Sequence, residues 1–361
     1  MQLTRLRDRV ARCCGLRYAG VSGTRSLEVV VLRGLAFRVS SLMRTSRHLG
    51  FAMLGMPLTT LATAQTATVP GPSWRLSVAD YRPYLAETHS VRRALNDFAA
   101  AVARRSNGQL EVDVLSSTVS GSPAEQIDAL RNARLGAPQI MLVAATGLAE
   151  LQKEFAWFDQ PYVVRDLAQV DAIVEGPRGR ALLDSLPAFG LVGLAWMENG
   201  FRQLSTTRTE LHSLSDLRGM KVRTLPVQTS INTFTAWGAV PVPIAAAEVR
   251  QALERGAIEA QEGFVSQLLQ GRLFETQKHL WLTQHSYGAQ TLVINTSAWR
   301  SLNESQQGWL KAAAEEAARV QRLRAREEEL QALQSLERAG MQVHHLTPEF
   351  TASLAKATLA Q

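Results

Sequence analysis

A single arginine, Arg223, stands in the apolar, strand-like segment MKVRTL, which stops at Pro226. An arginine side chain presents a planar fork of N–H donors, and this fork matches a carboxylate in a bidentate way that a lysine cannot reproduce. An isolated arginine in a strand is ordinarily a surface residue, however. The segment alone leaves both interpretations open, anion binding and plain exposure.

The sequence contains none of the common catalytic motifs. There is no G-x-S-x-G elbow, no G-x-G-x-x-G after a strand, no P-loop and no H-E-x-x-H. His344 and His345 are adjacent in a strand-like piece, where neighbouring side chains point to opposite faces, so we do not expect a shared metal. Basic patches with interleaved aromatic residues are missing too. We therefore predict a protein that is not an enzyme, with no cofactor, no metal site and no nucleic-acid partner.

Length and composition indicate a globular protein of two domains. The chain has 361 residues, of which 46% are hydrophobic and 20% charged, and a formal net charge of +7. That length exceeds one ordinary domain. Residues 1–64 hold ten arginines and two acidic residues, which leaves 29 basic against 30 acidic residues in the remainder. The basic character therefore belongs to the N-terminal segment alone.

That N-terminal segment has the pattern of an export signal. From Met43 it runs through Arg44 and Arg47 into an apolar stretch, 49–61, followed by small residues ending at Ala64. The stretch is shorter than the roughly 20 apolar residues of a membrane span. We interpret 43–64 as a signal peptide and 1–42 as an upstream extension that is not part of the native product. Both cysteines, in 13–14, lie in that extension, so the mature chain would have none.

Past residue 73 the chain alternates strands and helices. The segments WRLSVAD, QLEVDVLSS and QIMLVAA are strand-like, and two helical patterns separate them, the second opening with Ser122, Pro123 and Glu125 as a capping box. This order predicts a parallel sheet covered on both faces. The same alternation restarts with GLVGLAWMENG and MKVRTL. We therefore expect a second α/β lobe.

A long helix is predicted near the C-terminus. Asn303 caps a helical pattern that runs through residues 304–339 and ends at Gly340. At about 1.5 Å per residue this helix would be roughly 54 Å long, so it spans both lobes or is kinked. We expect one apolar face and a solvated surface at RAREEEL. The apolar positions are Leu310, Ala313, Ala317, Val320, Leu323, Leu330 and Leu333.

From Trp74 to His345 the chain resembles the DctP-type extracytoplasmic solute receptors of tripartite ATP-independent periplasmic (TRAP) transporters. Each block that carries the resemblance is moderately specific, and the five occur in the order and spacing of that family. The blocks are EFAWFDQPYVVRD, GLAWMENGFRQLSTT, LSDLRGMKVRTLP, WGAVPVPIAAAEVRQALERGAIEAQEG and FETQKHLWLTQH.

The resemblance implies a two-lobed, periplasmic-binding-protein-like α/β fold with hinge strands and a long C-terminal helix across the lobes. It also implies that Arg223 binds a ligand carboxylate through both guanidinium nitrogens. Arg202 matches a second arginine that reaches the ligand, with a hinge residue paired to a local carboxylate as the alternative. Glu248 matches a recurrent glutamate that orders the site or holds Arg223.

Two positions depart from the pattern of the family. The segment that commonly reads D-G-Q-E-N-P is EAQEGF here, so Gly263 replaces a ligand-binding asparagine and Phe264 replaces a proline. We therefore expect a ligand with one carboxylate and a more apolar or aromatic remainder, with Phe264 as a core residue being the alternative. Trp196 and Tyr81 complete the predicted ligand-binding set.

The predicted function is that of a periplasmic receptor that binds a small organic acid and delivers it to TRAP membrane subunits. Alternatives are a sensory ligand-binding subunit and a secreted enzyme. We expect a monomer without a stable membrane anchor, with dimerisation along the long helix as the alternative. Residues 74–199 with 289–328 form the predicted lobe I, and residues 200–288 with 329–361 form lobe II.

The first testable prediction concerns processing. If Met43 is the start and cleavage follows Ala64, the mature chain isolated from the native host begins at Gln65. N-terminal mass spectrometry of the exported protein checks this. Peptides from residues 1–42 in native cells would contradict the start site.

Overall fold

The computed structural model describes residues 74–82, 86–116, 121–207 and 210–359. The predicted upstream extension and signal peptide, 1–64, lie outside these residues. The described residues all belong to one unit, Thr66–Gln361. No helix in this described part of the chain is long and apolar enough to cross a membrane.

The described strands form two separate sheets. In chain order they are β1 (Trp74–Asp80), β2 (Leu110–Val114), β3 (Ile140–Ala144), β4 (Leu191–Phe201), β5 (Gln203–Thr206), β6 (Lys221–Thr224), β7 (Val240–Pro243), β8 (Ala260–Gly263), β9 (His279–Leu282), β10 (Tyr287–Asn295) and β11 (Gln342–His345). The first sheet has the order β2-β1-β3-β10-β4 and the second β11-β9-β5-β8-β6-β7. The predicted restart of the α/β alternation is confirmed.

Strand directions follow the predicted order only in part. Strands β1, β2 and β3 are parallel, as expected, whereas β10 lies antiparallel between β3 and β4. In the second sheet β6 is parallel to both β7 and β8, and β5 is antiparallel to β8 and β9. Both sheets are therefore mixed. Strand β10 runs against its two neighbours in the first sheet, and β5 runs against its two neighbours in the second.

Helices cover the faces of both sheets. They are α1 (Ser90–Arg105), α2 (Pro123–Arg131), α3 (Ala145–Leu148), α4 (Leu167–Val174), α5 (Pro177–Ser185), α6 (Gln228–Ala236), α7 (Val249–Glu254), α8 (Val265–Gln270), α9 (Thr296–Arg300), α10 (Glu304–Arg338) and α11 (Pro348–Leu359). The predicted capping box of Ser122 and Glu125 begins α2. Asn303 and Gln306 form a second box at α10. These local signals located both helix starts.

Two crossings connect the sheets at one place. Strand β4 ends at Phe201 and β5 begins at Gln203, so the chain passes from one sheet to the other through Arg202. It returns through residues 283–286, between β9 and β10. The Arg202 N–H donates a hydrogen bond to the Ser286 carbonyl oxygen at 2.8 Å. The two crossings therefore lie side by side, as the predicted hinge strands require.

The predicted lobe boundaries remain a proposal. Strands β4 and β10 and helix α10 each continue across one of these boundaries, whereas the polypeptide changes sheet at Arg202 and at residues 283–286. Helix α10 joins the apolar core beside the first sheet through Ala313 and Ala317, and the core beside the second through Ala332 and Leu336. The long helix thus spans both lobes.

The predicted apolar face of α10 is wrong over its middle. Leu310, Ala313 and Ala317 are buried, but Leu323 is 68% and Leu330 62% exposed. Gln321 is buried instead, because its side chain bonds the backbone of β4 at Glu198. Between its two cores the helix lies against strand backbone, and polar side chains make that contact.

The prediction of a solvated surface at RAREEEL holds for Glu327 and Leu330 but is wrong at Arg326. Arg326 in this segment donates hydrogen bonds to both oxygens of Asp171 and to the fully buried carboxylate of Glu198. Tyr287 donates its hydroxyl to Glu198 from β10. A buried carboxylate requires such partners. The contact therefore ties helix α10 to the strands of the first sheet at the hinge.

We predict that Arg326→Ala lowers the free energy of unfolding by about 3 kcal/mol, because it removes the cationic partner of the buried Glu198. Arg324→Ala is the matched control: its partner, Asp97, keeps 47% of its side chain exposed, and such pairs contribute less than about 1 kcal/mol. Urea unfolding measures both variants. Equal losses in the two variants would contradict the role given to Glu198.

Candidate ligand-binding site

Arg223 is a buried residue of β6, with 3% of its surface exposed. Its Nε donates to the carbonyl oxygen of Ile244 at 3.1 Å, and its Nη1 donates to the carbonyl oxygen of Glu262 at 3.2 Å. These backbone contacts orient the guanidinium. The surface interpretation of this arginine is wrong.

Glu262 of β8 is the buried acid between the two predicted arginines. Its side chain is fully buried; Oε2 accepts a hydrogen bond from Arg202 Nε, and Oε1 accepts one from the Leu225 N–H at 2.9 Å. Burial acts to raise the pKa of Glu262, but Arg202, His285 and Arg223 together hold that pKa below its usual range. The carboxylate is therefore ionised at neutral pH.

Arg202 lies in the crossing between β4 and β5, paired with Glu262, which is the alternative role foreseen for it. Its guanidinium carbon lies 4.5 Å from the centroid of the Phe264 ring, a cation–π distance. Its Nη2 is buried and has no hydrogen-bond partner among the described residues. The ion pair with Glu262 therefore leaves donor capacity on this arginine.

Asp159 supplies a second carboxyl group to the site, from a turn that follows β3 of the first sheet. It ends the 3-10 turn Lys153–Asp159, and its Oδ1 accepts a hydrogen bond from Thr146 Oγ1 at 3.0 Å. Its Oδ2 is buried without a partner among the described residues. Burial raises the pKa of Asp159 to about 7, with Glu262 adding to the rise and Thr146 and Arg202 opposing it. Both protonation states are therefore populated near neutral pH.

His285 borders the same acid, and Tyr162 contacts His285. His285 Nδ1 is hydrogen-bonded to Thr283 Oγ1 at 2.8 Å, and its Nε2 lies 3.9 Å from Glu262 Oε2. Burial lowers the pKa of His285, so the imidazole is neutral at pH 7. Burial likewise raises the pKa of Tyr162, whose N–H donates to the His285 carbonyl oxygen at 2.9 Å. In the described residues these groups form no cluster suited to a metal ion.

Four predicted site residues meet around Glu262. Arg202 and Arg223 contact it directly, and Gly263 and Phe264 follow it in the chain. A side chain at Gly263 would place its Cβ 3.1 Å from Gln261 Oε1, a tight contact. The Phe264 ring lies over a glycine, residue 288, where any Cβ would come within 2.3 Å of a ring carbon. The Phe264 ring therefore packs in a defined position beside Arg202.

Two other predicted residues have different surroundings. Glu248 is exposed, and its carboxylate accepts a hydrogen bond from the Ala245 N–H at the start of its own helical turn. Trp196 is buried; its ring packs on the Phe158 ring, with centroids 5.3 Å apart, and its indole N–H donates to Gly179. These contacts explain both side chains locally. Contact of either residue with a ligand stays a prediction.

Tyr81 is half-buried after β1, with the guanidinium carbon of Arg82 4.6 Å above its ring. Arg82 is itself buried, donates to both oxygens of Asp80 and reaches Asn199 Oδ1 at 2.8 Å. The structure thus packs Tyr81 against a buried arginine that sequence inspection missed. A ligand contact of Tyr81 also stays a prediction.

Sequence inspection also missed Glu262, Asp159 and His285. Each belongs to a block that carried the family resemblance, but none was singled out. One signal was available for Glu262: a charged residue in a four-residue strand next to apolar segments needs a partner when the strand is central. Nothing local distinguishes Asp159 from an exposed acid, because its burial depends on residues far along the chain.

Two α/β lobes joined by adjacent crossings, with arginines buried where the crossings meet, define a two-lobed solute-binding protein. A family model described as bacterial extracellular solute-binding protein, family 7 (DctP) matches residues 81–360. The chain belongs to this family.

Known proteins agree with that assignment. The 2,3-diketo-L-gulonate-binding periplasmic protein YiaO of Escherichia coli is 30% identical over 71% of this chain and 77% of its own length. A TRAP periplasmic solute-binding protein of Ochrobactrum anthropi, with its C-terminus bound in the ligand pocket, is 32% identical with a TM-score of 0.74, covering 80% of this chain and 88% of that one. The sugar acid binding protein DctPAm of Advenella mimigardefordensis, in complex with galactonate, is 26% identical with a TM-score of 0.73, covering 80% and 91%.

The raised pKa of Asp159 predicts a pH dependence of stability. The folded-state pKa, about 7, lies above the ordinary value of 3.8, so the folded protein binds more protons than the unfolded chain between these pH values. The contribution of Asp159 to the free energy of unfolding is fully present below about pH 4 and is lost as pH rises through 7. The free energy of unfolding of Asp159→Asn, relative to that of wild type, should therefore rise by roughly 2 to 4 kcal/mol between pH 4.5 and pH 8.

Urea unfolding of the ligand-free protein at the two pH values measures this change. Glu154→Gln, an exposed acid of the same turn, is the matched control and should show no such change. If Asp159→Asn and wild type differ by the same amount at both pH values, Asp159 does not titrate in this range.

Proposed function

We propose that this protein is a periplasmic receptor that binds a small organic acid and delivers it to the membrane subunits of a TRAP transporter. The observation that carries the proposal is the convergence of Arg202 and Arg223 on Glu262, beside the crossings between the two sheets. Membership of the solute-binding family supports it. The ligands in the names of YiaO and of the DctPAm complex are both acids, which supports a carboxylate ligand.

Arg223 is the proposed carboxylate-binding residue. Two of its N–H groups bond the carbonyl oxygens of Ile244 and Glu262, and these contacts fix the plane of the guanidinium. The backbone contacts hold that plane before the ligand arrives. A pre-oriented donor pair loses little side-chain entropy on binding, which favours affinity.

Phe264 and Gly263 shape the remainder of the proposed site. The Phe264 ring lies against the Arg202 guanidinium, and Gly263 offers no side-chain amide. A ligand there meets an aromatic surface where a polar contact would otherwise be possible. We therefore propose one carboxylate and a partly apolar body for the ligand.

Closure of the two lobes is the proposed mechanism. The polypeptide crosses between the sheets through Arg202 and through residues 283–286, and helix α10 is the third connection. Few backbone torsions need to change for the lobes to move about such short crossings. The boundaries given above for lobes I and II are part of this proposal. Ligand binding favours the closed form because some contacts between ligand and protein are made only in that form. The free energy of those contacts sets the size of the shift.

Transport fits the site better than catalysis does. The buried groups around Glu262 are held by hydrogen bonds to backbone and to one another, and the family to which the chain belongs is described as one of solute-binding proteins. We propose that the protein does not turn over its ligand, that it is exported to the periplasm without a membrane anchor, and that it acts as a monomer.

We predict that Arg223→Ala weakens binding of the cognate acid roughly a hundred- to several-thousand-fold, because removing one partner of a buried charge pair costs about 3 to 5 kcal/mol. Arg223→Lys should fall between alanine and wild type, since it keeps the charge but not the planar fork. Arg202→Ala should cost less. Native mass spectrometry and a thermal-shift panel of organic acids identify the ligand, and calorimetry measures the affinities.

Lys221→Ala is the control, because Lys221 is an exposed residue of the same strand. A folded Arg223→Ala variant that binds within about threefold of wild type would show that Arg223 is structural. Binding of no carboxylate at all by the wild-type protein would overturn the proposed function.

A further inference from the structure

Two buried polar atoms lie on elements that meet at Glu262, and neither has a hydrogen-bond partner among the described residues. One is Arg202 Nη2, on a residue with 5% of its surface exposed, and the other is Asp159 Oδ2. Asp159 belongs to the turn that follows β3 and α3, whereas Arg202 lies in the crossing between β4 and β5. Tyr162, three residues after Asp159, donates its N–H to the His285 carbonyl oxygen at 2.9 Å, and His285 Nε2 lies 3.9 Å from the Glu262 oxygen that Arg202 binds. The turn that carries Asp159 therefore packs beside the Arg202–Glu262 pair.

Such a pair specifies the chemistry of a group between them. Buried donors and acceptors are nearly always satisfied, and leaving one unpaired costs roughly 1 to 3 kcal/mol. An arginine nitrogen can only donate, so the group must accept. The remaining Asp159 oxygen accepts a hydrogen bond when ionised and donates one when protonated. A hydroxyl satisfies both neighbours in either protonation state of Asp159.

A second ligand carboxylate fits this position poorly. It would accept from Arg202, but it would face Asp159 and the ionised Glu262, whose charge Arg202 already compensates. Like charges a few ångströms apart in a buried site repel strongly. The hydroxyl is also the smaller group, which suits a position bordered by the Phe264 ring.

We propose that Asp159 and Arg202 together bind a hydroxyl group of the ligand, which makes Asp159 a specificity-determining residue. The preferred ligands are hydroxy monocarboxylates, with the carboxylate at Arg223 and the hydroxyl on a nearby carbon. The short distance follows from the shared neighbour: Arg202 bonds the side chain of Glu262 and Arg223 bonds its carbonyl oxygen. This inference rests on the proposed function and deepens it.

The test is a double-mutant cycle between Asp159 and the ligand hydroxyl. Calorimetry compares three pairs of acids that differ by one hydroxyl: 2-hydroxy-3-methylbutanoate and 3-methylbutanoate, mandelate and phenylacetate, and 3-hydroxybutanoate and butanoate. We expect wild type to bind the hydroxy acid of at least one pair roughly ten- to hundredfold more tightly. In Asp159→Ala this preference should shrink to less than about threefold, while affinity for the deoxy acid changes little.

Glu154→Gln, from the same turn but exposed, should keep the full preference. If Asp159→Ala fails to fold, Asp159→Leu takes its place, because leucine has a similar shape and no hydrogen-bonding atom. The comparison of acids on wild type needs no variant. Equal affinity for both acids of every pair that binds overturns the hydroxyl assignment and leaves the proposed function standing. A preference that persists unchanged in the Asp159 variants overturns the role of Asp159. Tighter binding of succinate than of any hydroxy monocarboxylate contradicts the substrate class, and binding of no carboxylate contradicts the proposed function itself.

Discussion

The buried charge of Glu262 is the constraint on which the site depends. A carboxylate removed from water is tolerated only when charges and hydrogen-bond donors surround it. Its partners are Arg202 at the crossing between the sheets and the Leu225 N–H at the end of β6. Because its own carbonyl oxygen accepts from Arg223, one residue fixes both arginines. Replacing such a pair by apolar residues often costs no stability, so its value here is the placement of donors.

A second buried carboxylate, Glu198, has the corresponding role on the other side of the hinge. It lies in β4, three residues before the sequence reaches Phe201 and the crossing, and it binds Arg326 of the long helix and Tyr287 of β10. The crossing at Arg202 is thus held between an ion pair toward the ligand site and another toward α10. The proposed closure of the lobes would bend the short backbone between these two ion pairs.

Ligand selection in this family can change without a change of fold. The Ochrobactrum protein is only 32% identical to this chain over the aligned part, yet the TM-score of 0.74 shows the same arrangement of elements. Core positions require only apolar side chains of suitable volume. A different side chain next to Glu262 would leave that core intact. We propose that Gly263 and Phe264 are positions at which such a difference changes what a ligand contacts.

The sequence by itself determined the class of fold, the restart of the α/β alternation, and the capped starts of α2 and α10. These features depend on side-chain period, local hydrogen bonds and ordered motifs, all of which are readable along the chain. The tertiary structure alone decided which polar groups are buried together. Asp159 and Arg202 are 43 positions apart in the chain. On helix α10, Leu323 is exposed while Gln321 is buried. Burial depends on which surface packs against a side chain, and the local sequence does not specify that surface.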